Sequence, residues 1–339
     1  MKRFLAITLS MLLAAAVFTC CSQPSSVNTS PTEAKINIVC TVFPQYDWVH
    51  EILGEKAEGF EITLLINNRV DLHNYQPSVD DIVKISTCDL FIYVGGESDD
   101  WVGNVLRQAA NDDMAVINLL EALGGGAKIE EIIEGMEEEF DEDSQGDGDI
   151  SGASDEEEQK AEFDEHVWLS LRNTVLFCSA ITDSICGLDV ANASDYIENL
   201  NIYIQKLMDL DSQYKAAVEA APVKTLLFAD RFPFRYLVDD YGIDYLAAFP
   251  GCSAETEASF ATIILLAKRV DELGLNTVMV TESSDKKIAE TIIRESTNKN
   301  QQILVMDAIQ SVTSVDVQNG TTYLSLMEKN LDVLKNALK

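Results

Sequence analysis

Short apolar runs alternate with amphipathic segments along most of the chain. The run "INIVCTVF" is typical of a buried strand, and "QYDWVHEILG" after it has apolar residues at the helical positions Tyr46, Val49 and Ile52. The runs "FEITLLI", "DLFIYVGG" and "MAVINL" repeat the strand pattern. Between them, "SVDDIVKISTC" predicts a helix with Ser78 as N-cap and Asp81 completing a capping box. Strands that alternate with helices in this way predict parallel α/β units.

The same alternation returns after one long helical segment. Residues 191–221 contain no Gly or Pro, and Pro222 ends the pattern. A helix of about 28 residues spans about 42 Å, which is long enough to connect two lobes. Strand-like runs "KTLLFA", "DYLAAF", "TVMVTE" and "QILVMD" then alternate with helices to the end of the chain. The pattern predicts two α/β lobes joined by a long rigid helix, which Asn192 or Ser194 can cap.

The N-terminus has the layout of a secretory signal. Two cations precede an apolar run of about 16 residues, shorter than the about 20 that a membrane span needs. The run ends at two cysteines, and the polar segment "SQPSSVNTSPTEA" follows. We therefore expect a bacterial lipoprotein acylated on Cys21, with Cys20 as the alternative; a plain cleaved signal is a further alternative. The predicted organisation is signal peptide 1–21, tether 22–35, first lobe 36–188, linking helix 189–221 and second lobe 222–339.

Acidic residues strongly outnumber basic ones. The formal net charge is −33 at pH 7, which argues against nucleic-acid binding. Residues 137–165 alone contain 15 acids against one lysine, with few apolar residues. This composition predicts a disordered or long surface loop within the first lobe. We expect a solvated loop, and the alternative is a weak collector of cations.

Five cysteines follow the signal segment, an odd number without a CxxC pair. Most lie in apolar runs, so buried free thiols are expected rather than a disulfide framework. Cys252, in "PGCSAETEAS", could supply a soft ligand near a cleft, but we do not expect it to bind metal.

Candidate ligands follow the predicted strands. In open α/β sheets, ligands bind beyond the carboxyl ends of the strands, and two lobes would bring two such edges to one cleft. Two imidazoles with carboxylates suit a divalent transition metal, although this spacing by itself is a weak signal. The residues at these strand ends are His73, Asp230, Arg231, Glu282 and Asp285, and His166 follows the acidic stretch.

Five segments, in order along the chain, resemble the zinc/manganese solute-binding lipoproteins of ABC importers, the ZnuA/TroA-like family. They are "VFPQYDWVHEILG", "HNYQPSVDDIVKISTCDLFIYVGG", "EHVWLS", "YIENLNIYIQKLMDLDSQY" and "YLSLMEKNLDVLKNAL". The resemblance covers nearly all of the chain beyond the signal. It implies two α/β lobes joined by a rigid helix, with one metal ion in the cleft between them.

The resemblance also implies site residues. His73 and His166 match the family's first two histidine positions. At the third position, where zinc-type relatives have histidine and manganese-type relatives glutamate, this chain has Arg231. A guanidinium has no free lone pair, so either Asp230 takes the position or the site has one ligand fewer. Glu282 or Asp285 matches the fourth ligand, and Arg231 could orient one of these acids.

The implied function is the extracytoplasmic solute-binding component of a metal ABC importer. We expect a monomer, lipid-anchored to the cell membrane, that captures a divalent metal ion and delivers it to a membrane permease. Zinc is the expected ion and manganese the alternative. The sequence has no nucleophile elbow, phosphate loop or HExxH motif, so we expect no enzyme. A metal-dependent hydrolase and an adhesion lipoprotein are the alternatives from other classes.

Overall fold

The computed structural model describes residues 35–133, 136, 162–253 and 257–339. The predicted signal peptide, Cys21 and all of the tether except Lys35 lie outside the described residues, as do residues 137–161 of the acidic stretch.

The first sheet is parallel and has the strand order β2-β1-β3-β4. Its inner strands, β1 and β3, are apolar and largely buried because helices cover them. The helix α2 begins as predicted, with Ser78 and Asp81 forming a reciprocal capping box. The elements are β1 (Ile36–Cys40), α1 (Phe43–Leu53), β2 (Phe60–Leu64), α2 (Val79–Thr87), β3 (Leu90–Tyr93), α3 (Val102–Leu106), β4 (Ala115–Asn118) and α4 (Leu119–Leu123).

Two helices follow the acidic stretch, α5 (Leu171–Leu188) and α6 (Ala193–Ala220). The predicted long helix is α6, with 28 residues. Asn192 precedes it, but its side chain makes no cap and donates instead to Asp189 Oδ2 at 2.7 Å. The apolar stripe of α6 is buried, at Tyr196, Tyr203, Leu207, Leu210, Tyr214 and Val218.

The second sheet repeats the topology of the first, with parallel strands in the order β6-β5-β7-β8. In both sheets the carboxyl ends of the strands therefore lie along one edge. The elements are β5 (Thr225–Arg231), α7 (Arg235–Tyr241), β6 (Asp244–Phe249), α8 (Phe260–Leu273), β7 (Thr277–Thr281), α9 (Lys287–Glu295), β8 (Gln302–Met306), α10 (Ser314–Gln318) and α11 (Tyr323–Ala337).

The C-terminal helix α11 connects the second lobe to the first through hydrogen bonds. At its start, the Tyr323 backbone N–H donates to Asp47 on α1 at 2.9 Å, and the Tyr323 hydroxyl donates to the Trp168 carbonyl at 2.6 Å. Further along, the Tyr214 hydroxyl of α6 donates to the Met327 carbonyl at 2.6 Å. Buried side chains of both lobes share one hydrophobic core, so these contacts fix the position of one sheet relative to the other.

The predicted α/β fold, with two lobes and a long helix, is confirmed. The predicted lobe boundaries stay predictions. Among the described residues, no single helix is long and apolar enough to cross a membrane, whereas Leu171–Leu188 and Val190–Ala220 reach that length and composition as a pair bent by 119°.

Candidate metal-binding site

His73 lies in a single helical turn, Leu72–Asn74, on the loop that follows β2. The Asp71 carboxylate caps this turn by accepting the His73 backbone N–H at 3.1 Å. On the imidazole, Nδ1 lies 2.8 Å from the Ser98 hydroxyl and 3.4 Å from a carboxylate oxygen of Glu165. Burial acts to raise the pKa of Glu165, but the hydrogen bond from His73 and its charge outweigh burial and lower it. Both the backbone and the ring of His73 are thus held by acids.

His166 is fully buried at the end of a short antiparallel stem. The stem pairs residues 128–130 with 162–164: Asp164 N–H donates to the Lys128 carbonyl, and Glu130 N–H to the Glu162 carbonyl, both at 2.9 Å. The Asp164 carboxylate accepts the His166 backbone N–H at 2.8 Å and lies 3.1 Å from its Nδ1. The C-terminal end of the acidic stretch, paired with residues 128–130, therefore positions the second histidine.

The two imidazoles face each other through their Nε2 atoms, which are 3.3 Å apart. A carboxylate at each Nδ1 favours the tautomer that carries its proton there, which leaves a lone pair on each Nε2. Two lone pairs this close are stabilised by a shared proton or cation. Two nitrogen ligands bound at about 2.05 Å to tetrahedral zinc lie about 3.3 Å apart, so the pair has the spacing that such an ion needs.

Cys252, on the loop after β6, completes a cluster with the two histidines. One nitrogen of each ring and the Cys252 Sγ all lie within 4.8 Å of one another. The Cys252 backbone N–H donates to Glu130 Oε1 at 2.7 Å, which ties this loop to the stem that carries His166. Burial and the nearby Asp164 and Glu130 raise the pKa of the Cys252 thiol, so the protein by itself favours the protonated form.

Arg231, at the end of β5, binds Asp71 with a guanidinium N–carboxylate O distance of 2.5 Å. It also donates to the Ser253 carbonyl at 3.3 Å. Burial acts to raise the pKa of Asp71, but Arg231 and His73 outweigh burial and hold it below the ordinary value. Arg231 therefore pairs with Asp71, close to His73. From the sequence alone, Glu282 and Asp285 are its candidate partners.

The three predicted acids of the second lobe occupy different environments. Asp230 accepts from the Thr281 hydroxyl at 2.8 Å and from the Thr281 and Arg231 backbone N–H groups. Glu282 accepts the Ala308 backbone N–H at 2.8 Å and lines a small cleft with Asp71 and Arg231. Burial and the neighbouring Asp307 raise the pKa of Glu282.

Asp285 is exposed and pairs with the exposed Lys287. Within the described ranges, none of Asp230, Glu282 and Asp285 belongs to the cluster of ligand atoms around the two histidines.

A family model described as the periplasmic zinc-uptake complex component A, ZnuA, matches residues 38–337. The chain belongs to the ZnuA family.

Relatives and solved structures agree with ZnuA membership. The zinc-binding lipoprotein AdcA of Streptococcus pneumoniae is 30% identical over 308 residues, which are 91% of this chain and 57% of AdcA. The chain thus spans little more than half the length of that relative. The high-affinity zinc uptake system protein ZnuA of Bacillus subtilis is 27% identical over 94% of this chain and 92% of its own. The Zn(II)-bound ZnuA-like domain of S. pneumoniae AdcA superimposes with a TM-score of 0.67 at 26% identity, covering 90% of this chain and 99% of the domain.

Membership of the ZnuA family confirms the resemblance drawn from the sequence motifs. The family model is described as a component of a zinc-uptake complex, which agrees with the expected class of binding component. The family description places its members outside the cytoplasm, in the periplasm.

Sequence reasoning missed the acids that hold the two histidines, although the chain contains the signal twice. Asp71 and Asp164 each lie two residues before a histidine and accept its backbone N–H. The pattern Asp-x-His in "DLH" and "DEH" could therefore have indicated two histidines oriented in the same way. It could not have shown that Cys252 lies beside them, because that contact depends on how the second sheet meets the stem.

Proposed function

We propose that this protein is the extracytoplasmic solute-binding component of a zinc ABC importer. It captures Zn²⁺ between the two lobes and delivers the ion to a membrane permease. One observation carries the proposal: the Nε2 atoms of His73 and His166 face each other at 3.3 Å, with a carboxylate at each Nδ1. The relatives named as a zinc-binding lipoprotein and as a zinc uptake protein support zinc over manganese.

Within this proposal His73 and His166 bind the metal ion directly. Glu282 is the favoured acid of the second lobe, because it lines the same small cleft as Asp71. Asp230 is a weaker candidate, since its carboxylate is directed to the end of β7 by the bonds to Thr281. Asp285 is left out because it is exposed and paired with Lys287. Arg231 positions Asp71 and does not coordinate the ion.

We further propose that the protein is a monomer anchored to the cell membrane by lipid on Cys21. The signal-like N-terminus supports this, as does the name lipoprotein in the pneumococcal relative. Globomycin, which blocks lipoprotein signal cleavage, should cause the uncleaved precursor to accumulate. Cys21→Ala should release the protein from the membrane fraction, while Cys20→Ala should not.

Metal binding to the purified protein tests the central proposal. Competition with a chromogenic chelator should show one tightly held Zn²⁺ per chain and much weaker binding of Mn²⁺, because zinc binds nitrogen ligands more strongly. Tight Mn²⁺ binding with weak Zn²⁺ binding would support the manganese alternative. Absence of binding to either ion would contradict the proposal.

A further inference from the structure

The end of β5 supplies no free ligand beside the histidines. Arg231 is engaged with Asp71 and the Ser253 carbonyl, and a guanidinium cannot coordinate a metal ion. The neighbouring Asp230 is bound to Thr281 and lies outside the cluster of ligand atoms. A third protein ligand within reach of both His73 and His166 must therefore come from a segment other than β5.

The loop after β6 reaches that position. A side-chain Cβ at Gly251 would lie 2.8 Å from the Phe232 carbonyl oxygen and 3.3 Å from His166 Nδ1, so glycine allows the backbone to pass this close to the ring. The next residue, Cys252, then places its Sγ within 4.8 Å of a nitrogen on each histidine. In tetrahedral zinc with Zn–S at about 2.3 Å and Zn–N at about 2.05 Å, sulfur and nitrogen lie about 3.6 Å apart. A contraction of at most about 1.2 Å therefore brings the sulfur to the distance that zinc coordination needs.

The loop is also anchored from the side of the first lobe. The Cys252 backbone N–H donates to Glu130, and Glu130 belongs to the stem that ends at His166. The sulfur and the second imidazole are thus held by the same few residues.

We propose that Cys252 is the third protein ligand of the captured metal ion, together with His73 and His166. This inference rests on the proposed function and specifies its ligand set. On binding, the Cys252 thiol loses its proton to solvent and the sulfur donates an electron pair to the ion, so one S–H bond breaks and one metal–sulfur bond forms. A thiolate selects zinc and disfavours manganese, which prefers oxygen ligands.

Cobalt(II) provides a direct test, because it replaces zinc in such sites and a thiolate ligand gives an intense near-ultraviolet charge-transfer band. The wild-type protein should show this band with one Co²⁺ per chain, and zinc should abolish it. Cys252→Ala and the near-isosteric Cys252→Ser should lose the band. Their zinc affinity should fall by more than about 100-fold, the upper range for partners outside the ligand set. Cys186→Ala, on α5, is the matched control and should keep both properties.

The proposed function and the assignment of Cys252 predict different outcomes in these measurements. If the wild-type protein binds neither zinc nor cobalt, the proposed function is wrong. If it binds both without the charge-transfer band, or if the Cys252 variants bind zinc as tightly as wild type, only the cysteine assignment is wrong. An equal loss of Zn²⁺ and Mn²⁺ affinity in a folded Cys252→Ser variant would also contradict it.

Discussion

Arg231 and Asp71 are bound to each other although 160 residues separate them in the chain. Arg231 ends the first strand of the second lobe, and Asp71 caps the turn that carries His73. The ion pair therefore connects the second sheet to the first candidate ligand. Its position allows Arg231 to support the His73 turn without coordinating a metal ion.

Replacing the arginine should weaken metal binding without removing a ligand. In Arg231→Ala the Asp71 carboxylate loses its partner, and the His73 turn loses part of its support. We expect zinc affinity to fall by about 10-fold, in the range found for residues that orient ligands. Isothermal titration with a competing chelator measures the effect. Arg235→Ala, which removes a more exposed ion pair with Glu131, is the control. A loss as large as that from removing a histidine would mean that the arginine organises the whole site.

His73→Ala and His166→Ala should each lower zinc affinity by more than about 100-fold, since a direct ligand contributes more than its supporting groups. His166 is fully buried, so His166→Gln provides a second variant that keeps more of the side-chain volume. His50→Ala, on α1, removes the remaining histidine and should bind zinc as wild type does. Circular dichroism establishes folding before each titration. Wild-type affinity in either folded site variant would contradict the proposed site.

Glu282→Gln should weaken zinc binding more than Asp230→Asn. Only Glu282 lines the cleft beside Asp71, whereas the Asp230 carboxylate joins the ends of β5 and β7 through Thr281. Asp230→Asn should instead lower the melting temperature of the metal-free protein. Parallel zinc titrations and thermal melts of both variants test this division of roles, and the opposite order of affinities would assign the ligand to Asp230.

The buried Asp47 on α1 should make the stability of the protein depend on pH. Burial raises the pKa of Asp47 to about 7, with the Tyr323 N–H opposing the shift. Because this pKa exceeds the ordinary value of 3.8, the folded protein retains a proton that the unfolded chain has lost between these two pH values. The associated stabilisation is complete below about pH 4 and is lost as pH rises through about 7.

An Asp47→Asn variant lacks this titration. Relative to wild type, its free energy of unfolding should increase by on the order of 3 kcal/mol between pH 4 and pH 8. Urea denaturation across that range measures the difference. Asp209→Asn, at an exposed position of α6, should follow the wild-type curve. A difference that does not vary with pH would show that Asp47 does not titrate there.

Deletion of residues 138–160 should slow zinc capture and leave the equilibrium affinity nearly unchanged. The deletion keeps the stem, including Asp164 and Glu165, which hold the histidines. Acidic side chains attract divalent cations over the screening length, about 8 Å at physiological ionic strength, so the effect should fade as salt is added. Stopped-flow association at low and high salt tests it. A large loss of affinity would instead mean that the stretch supplies a ligand.

The candidate site was only partly predictable. His73 and His166 could be chosen as candidates from the sequence because family motifs surround them. The exposed position of Asp285 could not be foreseen, because "TESSD" places two acids three residues apart at the end of one strand. Only the structure shows Glu282 in the cleft and Asp285 exposed beside Lys287.

The sequence by itself determined the order of strands and helices, the long helix and the Ser78 capping box. These features follow from local periodicity and from contacts a few residues apart. The tertiary structure alone decided the partner of Arg231, the 3.3 Å approach of the two imidazoles across 93 residues, and the place of Cys252 beside them. Such contacts depend on how two separately formed sheets meet, and no local pattern in the chain records that geometry.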